Sequence, residues 1–367
     1  MLKKVDKTFL TLTILLIATG LFIFLSASLG VLAKDESKFV SIVIKQLVLG
    51  LGAGCILGYI VLRAPISFWK HNAVYFLITS AVLCILVFIP NIGFEHAGAR
   101  RWVSLGPISF QPAEFLKVAM IFFAAGWFSV LKRNIALPKK SLYPIISMIA
   151  FSGILLLRQP DTKSFILIVI CILSIAYVAG IQLKHIGIVV LIGLVLMTIL
   201  VFTRPYVMER VQTFLHPTHD THDSSWQSQQ SKIAIGSGKL LGRGLGQSVQ
   251  KFSYLPEPQG DSIFAVVGEE FGFVGSMVLI LLFVGFILRG YHIASRTKDN
   301  FSRYTVIGII TLIGTQSFMN IASIVGVFPL TGVPLVFVSH GGTSLMLSIG
   351  MAAMVLHISK NMLPVRI

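Results

Sequence analysis

The sequence predicts an all-α integral membrane protein: a polytopic bundle of about ten transmembrane helices with a large extracellular loop between the seventh and eighth. Three observations carry this. Of 367 residues, 55% are hydrophobic and only 12% are charged, about half the charge of a soluble domain. Apolar runs approaching the roughly 20 residues of a bilayer crossing recur along the chain. One long segment, about 204–262, separates two of those runs and is far richer in polar residues.

Windows of about 19 residues place helices at 8–30, 40–62, 73–90, 112–131, 142–157, 164–181, 185–203, 263–288, 303–326 and 343–360. The fifth, Leu142 to Leu157, is short for a crossing, and it is counted on the resemblance described below. The first run follows Lys3, Lys4 and Lys7 as a signal peptide would, yet it continues without a small-residue cleavage site, so a retained first helix is expected. With the N-terminus cytoplasmic, the cytoplasmic segments hold 16 Lys and Arg against 6 in the short exterior loops. Positive-inside thus predicts both termini in the cytoplasm. The net charge of +16 is spread between apolar runs, where it fixes orientation, and nucleic acid is not an expected partner. Cys55, Cys84 and Cys171 all fall within apolar runs, which argues against a disulfide frame and a cysteine zinc site.

On this topology the segment 204–262 lies outside the cell. Its apolar stretches, Ile233 to Ile235 and Phe252 to Pro258, predict that it folds back on the membrane surface, partly as short helices. Gly236-Ser237-Gly238-Lys239 through Gly242-Arg243-Gly244-Leu245-Gly246 has the look of a phosphate cradle, but Leu240 stands where a Walker loop needs Ser or Thr. Two readings stay open: a bend-forming glycine loop, or an anion contact assisted by Lys239, Arg243 and Lys251. His216, His219 and His222 with Asp220 and Asp223 are metal-like by residue type. Pro217 and the surrounding Thr, Asp and Ser read as a solvated turn, and no metal site is expected.

Asp261 stands where the exterior segment turns into the eighth span. A partly dehydrated carboxylate there gains the proton affinity of a general base. The plainer reading is a helix N-cap. Glu269 and Glu270 follow in the same helix; adjacent positions point about 100° apart, so they face different partners, one snorkelling or lining a hydrated cavity. Glu114 and Lys117, three apart, are placed to pair. Arg100, Arg101 and Trp102 either anchor the interface or bind a lipid-linked phosphate. Pro329, Gly332, Pro334, Gly341 and Gly342 interrupt the apolar pattern before the last helix and predict a re-entrant or cavity-lining segment.

In order, these pieces resemble the SEDS family (shape, elongation, division and sporulation), the polytopic peptidoglycan glycosyltransferases that include FtsW, RodA and SpoVE. The resemblance spans nearly the whole chain. It is carried by Gly98-Ala99-Arg100-Arg101-Trp102, Gln111-Pro112-Ala113-Glu114 with Lys117, Gln159-Pro160-Asp161, the glycine segment with Gln250-Lys251, and Tyr254-Leu255-Pro256-Glu257-Pro258. Asp261 to Glu270 follows, then Asn320, Gly326, Pro329, Gly332 and Ser339-His340-Gly341-Gly342-Thr343-Ser344.

The resemblance implies an inverting polymerase that joins lipid II into β-1,4 glycan strands at the outer face of a bacterial cytoplasmic membrane. Asp261 would be the catalytic base. Arg101, Lys117, Arg210, Lys239, Arg243 and Lys251 would be candidates for the pyrophosphate, with Glu114, Glu269, Glu270 and Ser339 in support. No cofactor is obligatory, though magnesium or manganese would suit the pyrophosphate. The implied partners are lipid II and the nascent strand, a class B penicillin-binding protein acting as transpeptidase, and other division membrane proteins. Leu255 to Pro258 and Val267 to Glu270 look closer to the division and sporulation members than to the elongation member. The competing classes are an elongation polymerase and a lipid II flippase, although no internal repeat of the kind transporters show is detected. The chain departs from the family's usual pattern at Thr162-Lys163-Ser164, where Leu-Gly-Thr is common, and at Gly260, Ser262 and His340.

Overall fold

A computed structural model of the chain describes residues 5–90, 92–96, 99–105, 108–131, 138–203, 205–215 and 224–362. Helix α1 (Lys7–Leu32) starts at an Asp6 cap whose side chain accepts the Phe9 amide. Helix α2 (Glu36–Arg63) carries a π-helical stretch at Lys45–Gly52, followed by α3 (Ile66–His71) and α4 (Ala73–Leu86). Next come α5 (Pro112–Val130), α6 (Pro138–Arg158), α7 (Thr162–Val178) and α8 (Leu183–Thr203). The long segment contributes α9 (Pro205–Leu215), α10 (Ser224–Ser237) and α11 (Gln250–Ser253). The chain closes with α12 (Ile263–Ser295), α13 (Asn300–Val325) and α14 (Gly342–Ser359).

Seven of these, α1, α2, α5, α8, α12, α13 and α14, have the length and hydropathy of a crossing, and α4, α7 and Leu142–Arg158 of α6 are shorter apolar helices at expected positions. Burial orders them. In α13 78% of the apolar stretch is buried, which makes it the centre of the bundle; in α8 the figure is 6%, so nearly the whole helix turns its leucines outward. Exposed apolar surface on that scale is stable only against lipid. Close packing uses small residues, as expected where lipid removes the hydrophobic drive between helices. Gly50, Gly54 and Gly58 of α2 lie against Leu345, Ile349 and Ala353 of α14, and a Cβ at Gly54 would stand 2.8 Å from Ile349 Cδ1.

Two features were not expected from the sequence. The segment before α5 is a three-stranded antiparallel sheet, β1 (Gly93–His96), β2 (Ala99–Leu105) and β3 (Ile108–Phe110), in the order β1-β2-β3. Phe94 pairs with Trp102 and Val103 with Phe110, and Val103 and Phe110 pack with Val87 in a small separate core. Helix α12 also runs past Arg289 to Ser295. It can do so because Asp6 receives that guanidinium in two bonds, Nε to Oδ1 at 3.0 Å and Nη2 to Oδ2 at 2.5 Å.

Candidate active site

The turn that delivers Asp261 to the start of α12 is held on every side. Asn320 of α13 donates from one amide nitrogen to the carbonyls of Asp261 and Val333, each at 2.7 Å. Ser339 donates to the Gly260 carbonyl at 2.7 Å while accepting the Leu335 amide at 2.8 Å. The His340 amide donates to the Gln259 carbonyl at 2.7 Å. From the π-helical part of α2, Gln46 donates to the Ser339 carbonyl and accepts the Gly341 amide. The irregular stretch 326–341 and the turn before α12 are thus laced together, backbone to side chain, as buried non-helical segments require. Asp261 is not a helix cap. Ser262 occupies the cap position, no side-chain cap bond forms there, and the Ser262 hydroxyl instead accepts Gln227 from α10 at 2.9 Å. The Asp261 side chain stays half-buried at the rim.

Gly332 marks the point where charged groups meet. Its φ is +61°, and a Cβ built on it would lie 3.1 Å from Asp261 Oδ2 and 3.9 Å from both Arg210 Nη2 and Lys163 Nζ. Arg210 of α9 is fixed by donating Nη1 to the Leu330 carbonyl at 2.7 Å, and Lys163 of α7 donates to the Gly332 carbonyl. Next to them Arg101 of β2 donates to the carbonyls of Gln159 at 3.2 Å and Pro160 at 2.6 Å. That guanidinium shapes the Gln159-Pro160-Asp161 turn. Asp161 is fully buried, caps α7 through the Ser164 amide and accepts Gln111 Nε2 at 2.8 Å.

Other predicted residues are engaged within the protein. Lys117 is 3% exposed and pairs with Glu114 at 2.8 Å, as its spacing predicts, and also with Gln316 Oε1 at 2.9 Å. It is an interior residue whose ammonium is committed to Glu114 and Gln316 rather than presented to a pyrophosphate. Lys251 is committed to protein partners in the same way. Its side chain is fully buried, 2.6 Å from Glu270 Oε1 and 3.2 Å from Ser26 Oγ of α1, whose hydroxyl donates to Glu270 Oε2. Neither Glu269 nor Glu270 snorkels or faces water. Glu269, also fully buried, accepts Ser248 Oγ at 2.5 Å and the Val249 and Gln250 amides, with Arg243 Nε at 3.6 Å. Adjacent positions do face different partners, but both partners are protein.

The glycine segment proves to be a bend. Helix α12 breaks at Gly272, φ +65°, which removes the intrahelical bonds from Phe273 to Glu269 and from Val274 to Glu270. The loop replaces both. Arg243 and Gly244 amides donate to the Glu269 and Glu270 carbonyls at 2.9 and 3.1 Å, and the Phe273 and Val274 amides donate to the Lys239 and Leu240 carbonyls at 2.9 and 3.1 Å. Arg243 and Gly244 N–H groups thereby leave the supply for an anion. Lys239 and Arg243 keep exposed side chains beside this break, apart from Asp261.

Lys163 and Gln46 were missed as site residues. Lys163 was visible only as a charge at a span boundary, and Gln46 as an amide inside an apolar run. His340 stacks on Phe24 with centroids 5.9 Å apart, and burial, then the nearby Lys45 ammonium, pushes its imidazole down to about 4. The histidine-rich turn at 216–223 lies outside the described residues, as does Gly98.

With this geometry in place, comparison with known proteins is specific. The family model described as "Cell cycle protein", FTSW_RODA_SPOVE, matches residues 6–363. Stage V sporulation protein E of Bacillus subtilis is 35% identical over 358 residues, covering 97% of either chain. The probable peptidoglycan glycosyltransferase FtsW of Trichlorobacter lovleyi is 33% identical over 361 residues, covering 98% of this chain and 94% of its own. A chain of a solved peptidoglycan synthase complex, described as coordinating polymerization and crosslinking, superposes with a TM-score of 0.80 at 25% identity, covering 97% of each. The rod shape determining protein RodA of Thermus thermophilus shares the fold, with a TM-score of 0.71 at 23% identity over 98% of this chain and 97% of that one.

Proposed function

The chain belongs to the FtsW, RodA and SpoVE family, and from that premise we propose that the rim around Asp261 is the active site of a lipid II polymerase. The protein is a multi-pass membrane enzyme, a peptidoglycan glycosyltransferase. The observation that carries the site is a half-buried carboxylate on a turn pinned through Gly260, Asp261 and Ser262, with Arg210 and Lys163 close by.

In the reaction, Asp261 accepts the proton of the acceptor sugar's 4-hydroxyl. That oxygen forms the new bond to the donor's anomeric carbon, and the bond from that carbon to the pyrophosphate breaks, its electron pair leaving with the pyrophosphate. Displacement from the opposite face turns an α-linked donor into a β-1,4 link. Cations near the departing oxygens stabilise the charge that develops there. The donor arrives already activated on its lipid, so the step as written uses no nucleotide. Chelation with EDTA tests for an assisting magnesium or manganese ion by the loss of polymer it would cause.

The site faces the outside of the cytoplasmic membrane, with both termini in the cytoplasm. Similarity to the sporulation protein and to FtsW chains favours a division role, with a class B penicillin-binding protein and other division proteins as partners. The test is polymerisation of labelled lipid II by the reconstituted full chain with its transpeptidase. Wild type is expected to give glycan strands and Asp261→Asn none, at unchanged melting temperature; equal polymer from both would remove Asp261 from its role.

A further inference from the structure

We propose that Lys163 is a substrate-binding residue of this site, holding the pyrophosphate of the lipid-linked donor beside Asp261. The inference rests on the preceding reading of Asp261 as the group at the reacting sugar. An inventory of cations leads to it. Lys117 and Lys251 are buried in ion pairs. Arg101 is turned onto the carbonyls of the turn before α7, while Lys239 and Arg243 flank the break in α12. Among the described residues, Arg210 and Lys163 are the cations nearest Gly332 beside Asp261.

Lys163 has the chemistry of a site residue. Its described bond goes to a neutral carbonyl, that of Gly332, which leaves two of the three ammonium donors for other partners. The carboxylates acting on it are Asp161, Asp261 and Glu114. Those of Asp161 and Glu114 are engaged by Gln111, the Ser164 amide and Lys117. Lys163 is also the second residue of α7. Its place in the first turn, beside the Asp161 cap, puts it at the helix end where an anion is welcome.

The two groups lie near one another without pairing. From their distances to the common point at Gly332, Lys163 Nζ and Asp261 Oδ2 lie within roughly 7 Å of each other, and they do not form a direct ion pair. Displacement with inversion sets the acceptor oxygen, the anomeric carbon and the leaving oxygen between the two groups. A lysine bonded directly to the base would leave no room for the reacting atoms.

The test measures equilibrium binding of a long-chain polyprenyl pyrophosphate, and of the matching monophosphate, to the detergent-solubilised full chain. The variants are Lys163→Gln and Lys163→Arg. We expect wild type to prefer the pyrophosphate, Lys163→Gln to bind it about tenfold more weakly and lose the preference, and Lys163→Arg to stay within about threefold of wild type. In polymerisation Lys163→Gln should raise KM for lipid II as well as lower kcat. Wild-type binding and preference in Lys163→Gln would overturn the proposal. If Lys163→Gln melts early, Lys163→Arg decides: binding restored to wild type supports a charge contact, and binding lost in a stable arginine variant counts against it. Polymer from Asp261→Asn would sink the reading of the active site; a dead Asp261→Asn beside a normal Lys163→Gln sinks only the assignment of Lys163.

Discussion

A lysine and a glutamate removed from water hold each other in place, and Lys251 with Glu270 is the tightest such pair in the described residues whose two side chains are both fully buried. Their attraction barely offsets desolvation, whereas removing one partner strands the other. Lys251→Met or Glu270→Gln alone should therefore lower stability by about 3–5 kcal/mol, while Lys251→Met with Glu270→Leu should recover most of it; unfolding in detergent measures the three. His340 makes a different prediction, in pH. Its folded pKa of about 4 lies below the ordinary value of 6.5, so between those values the unfolded chain holds the proton and the folded one does not. The stabilisation is present above pH 6.5, declines as pH falls through that window and is gone below about 4, a limiting drop of roughly 3 kcal/mol. Melting temperature followed from pH 7 to 4 should fall less steeply in His340→Phe. Asp261 and Arg210 were legible in the sequence as charged residues at the margins of apolar runs, whereas Lys163 showed there only as a charge at a span boundary. Partners were not legible, since the contact between Lys251 and Ser26, or between Lys163 and Gly332, joins positions far apart in the chain.

Helix positions follow from local hydropathy, which is why the predicted apolar stretches fall on seven helices of crossing length and three shorter ones, while the break in α12 has no such local cause. Nothing around Gly272 alone announces it. The break is stable because a loop some thirty residues earlier supplies two amides and two carbonyls in the geometry the helix lost, and reciprocity of that kind has no local sequence signal. Glycine is required on both sides of the exchange: a Cβ at Gly242 would meet the Glu270 carbonyl at 2.1 Å, and one at Gly272 the Gly242 nitrogen at 2.3 Å. Gly242→Ala and Gly272→Ala should each destabilise the fold by about 2–4 kcal/mol through clash and strained φ. Gly236→Ala, at an ordinary helical φ in open space, should be neutral or stabilise by up to about 1 kcal/mol. Equal melting temperatures for all three would show that the loop does not support the break. The sheet at 93–110 escaped notice for a related reason: three short strands carry too few residues for an alternating pattern to stand out.

At the scale of the molecule, orientation is a single choice. Helix α12 begins beside Asp261 and ends past Arg289, where Asp6 of the N-terminus and, through the Asp6 amide, Ser359 of α14 are gathered. The sheet, the loop at 239–244 and the stretch 326–341 belong to the Asp261 end; the connection at 296–299 belongs to the other. Fixing the side of any one element fixes the rest. The excess of Lys and Arg predicts that the Asp6 end lies in the cytoplasm. The fold supplies good reporters, since Leu241 is 80% exposed beside the break in α12 and Lys298 is exposed in the opposite connection. Cys84 and Cys171 are buried and only Cys55 is exposed, so Cys55→Ala gives a quiet background. In protoplasts, a membrane-impermeant maleimide should label Leu241→Cys at once and Lys298→Cys only after permeabilisation. The reverse pattern would put Asp261 on the cytoplasmic side, out of reach of an acceptor strand outside the cell, and the polymerase reading would fail with it.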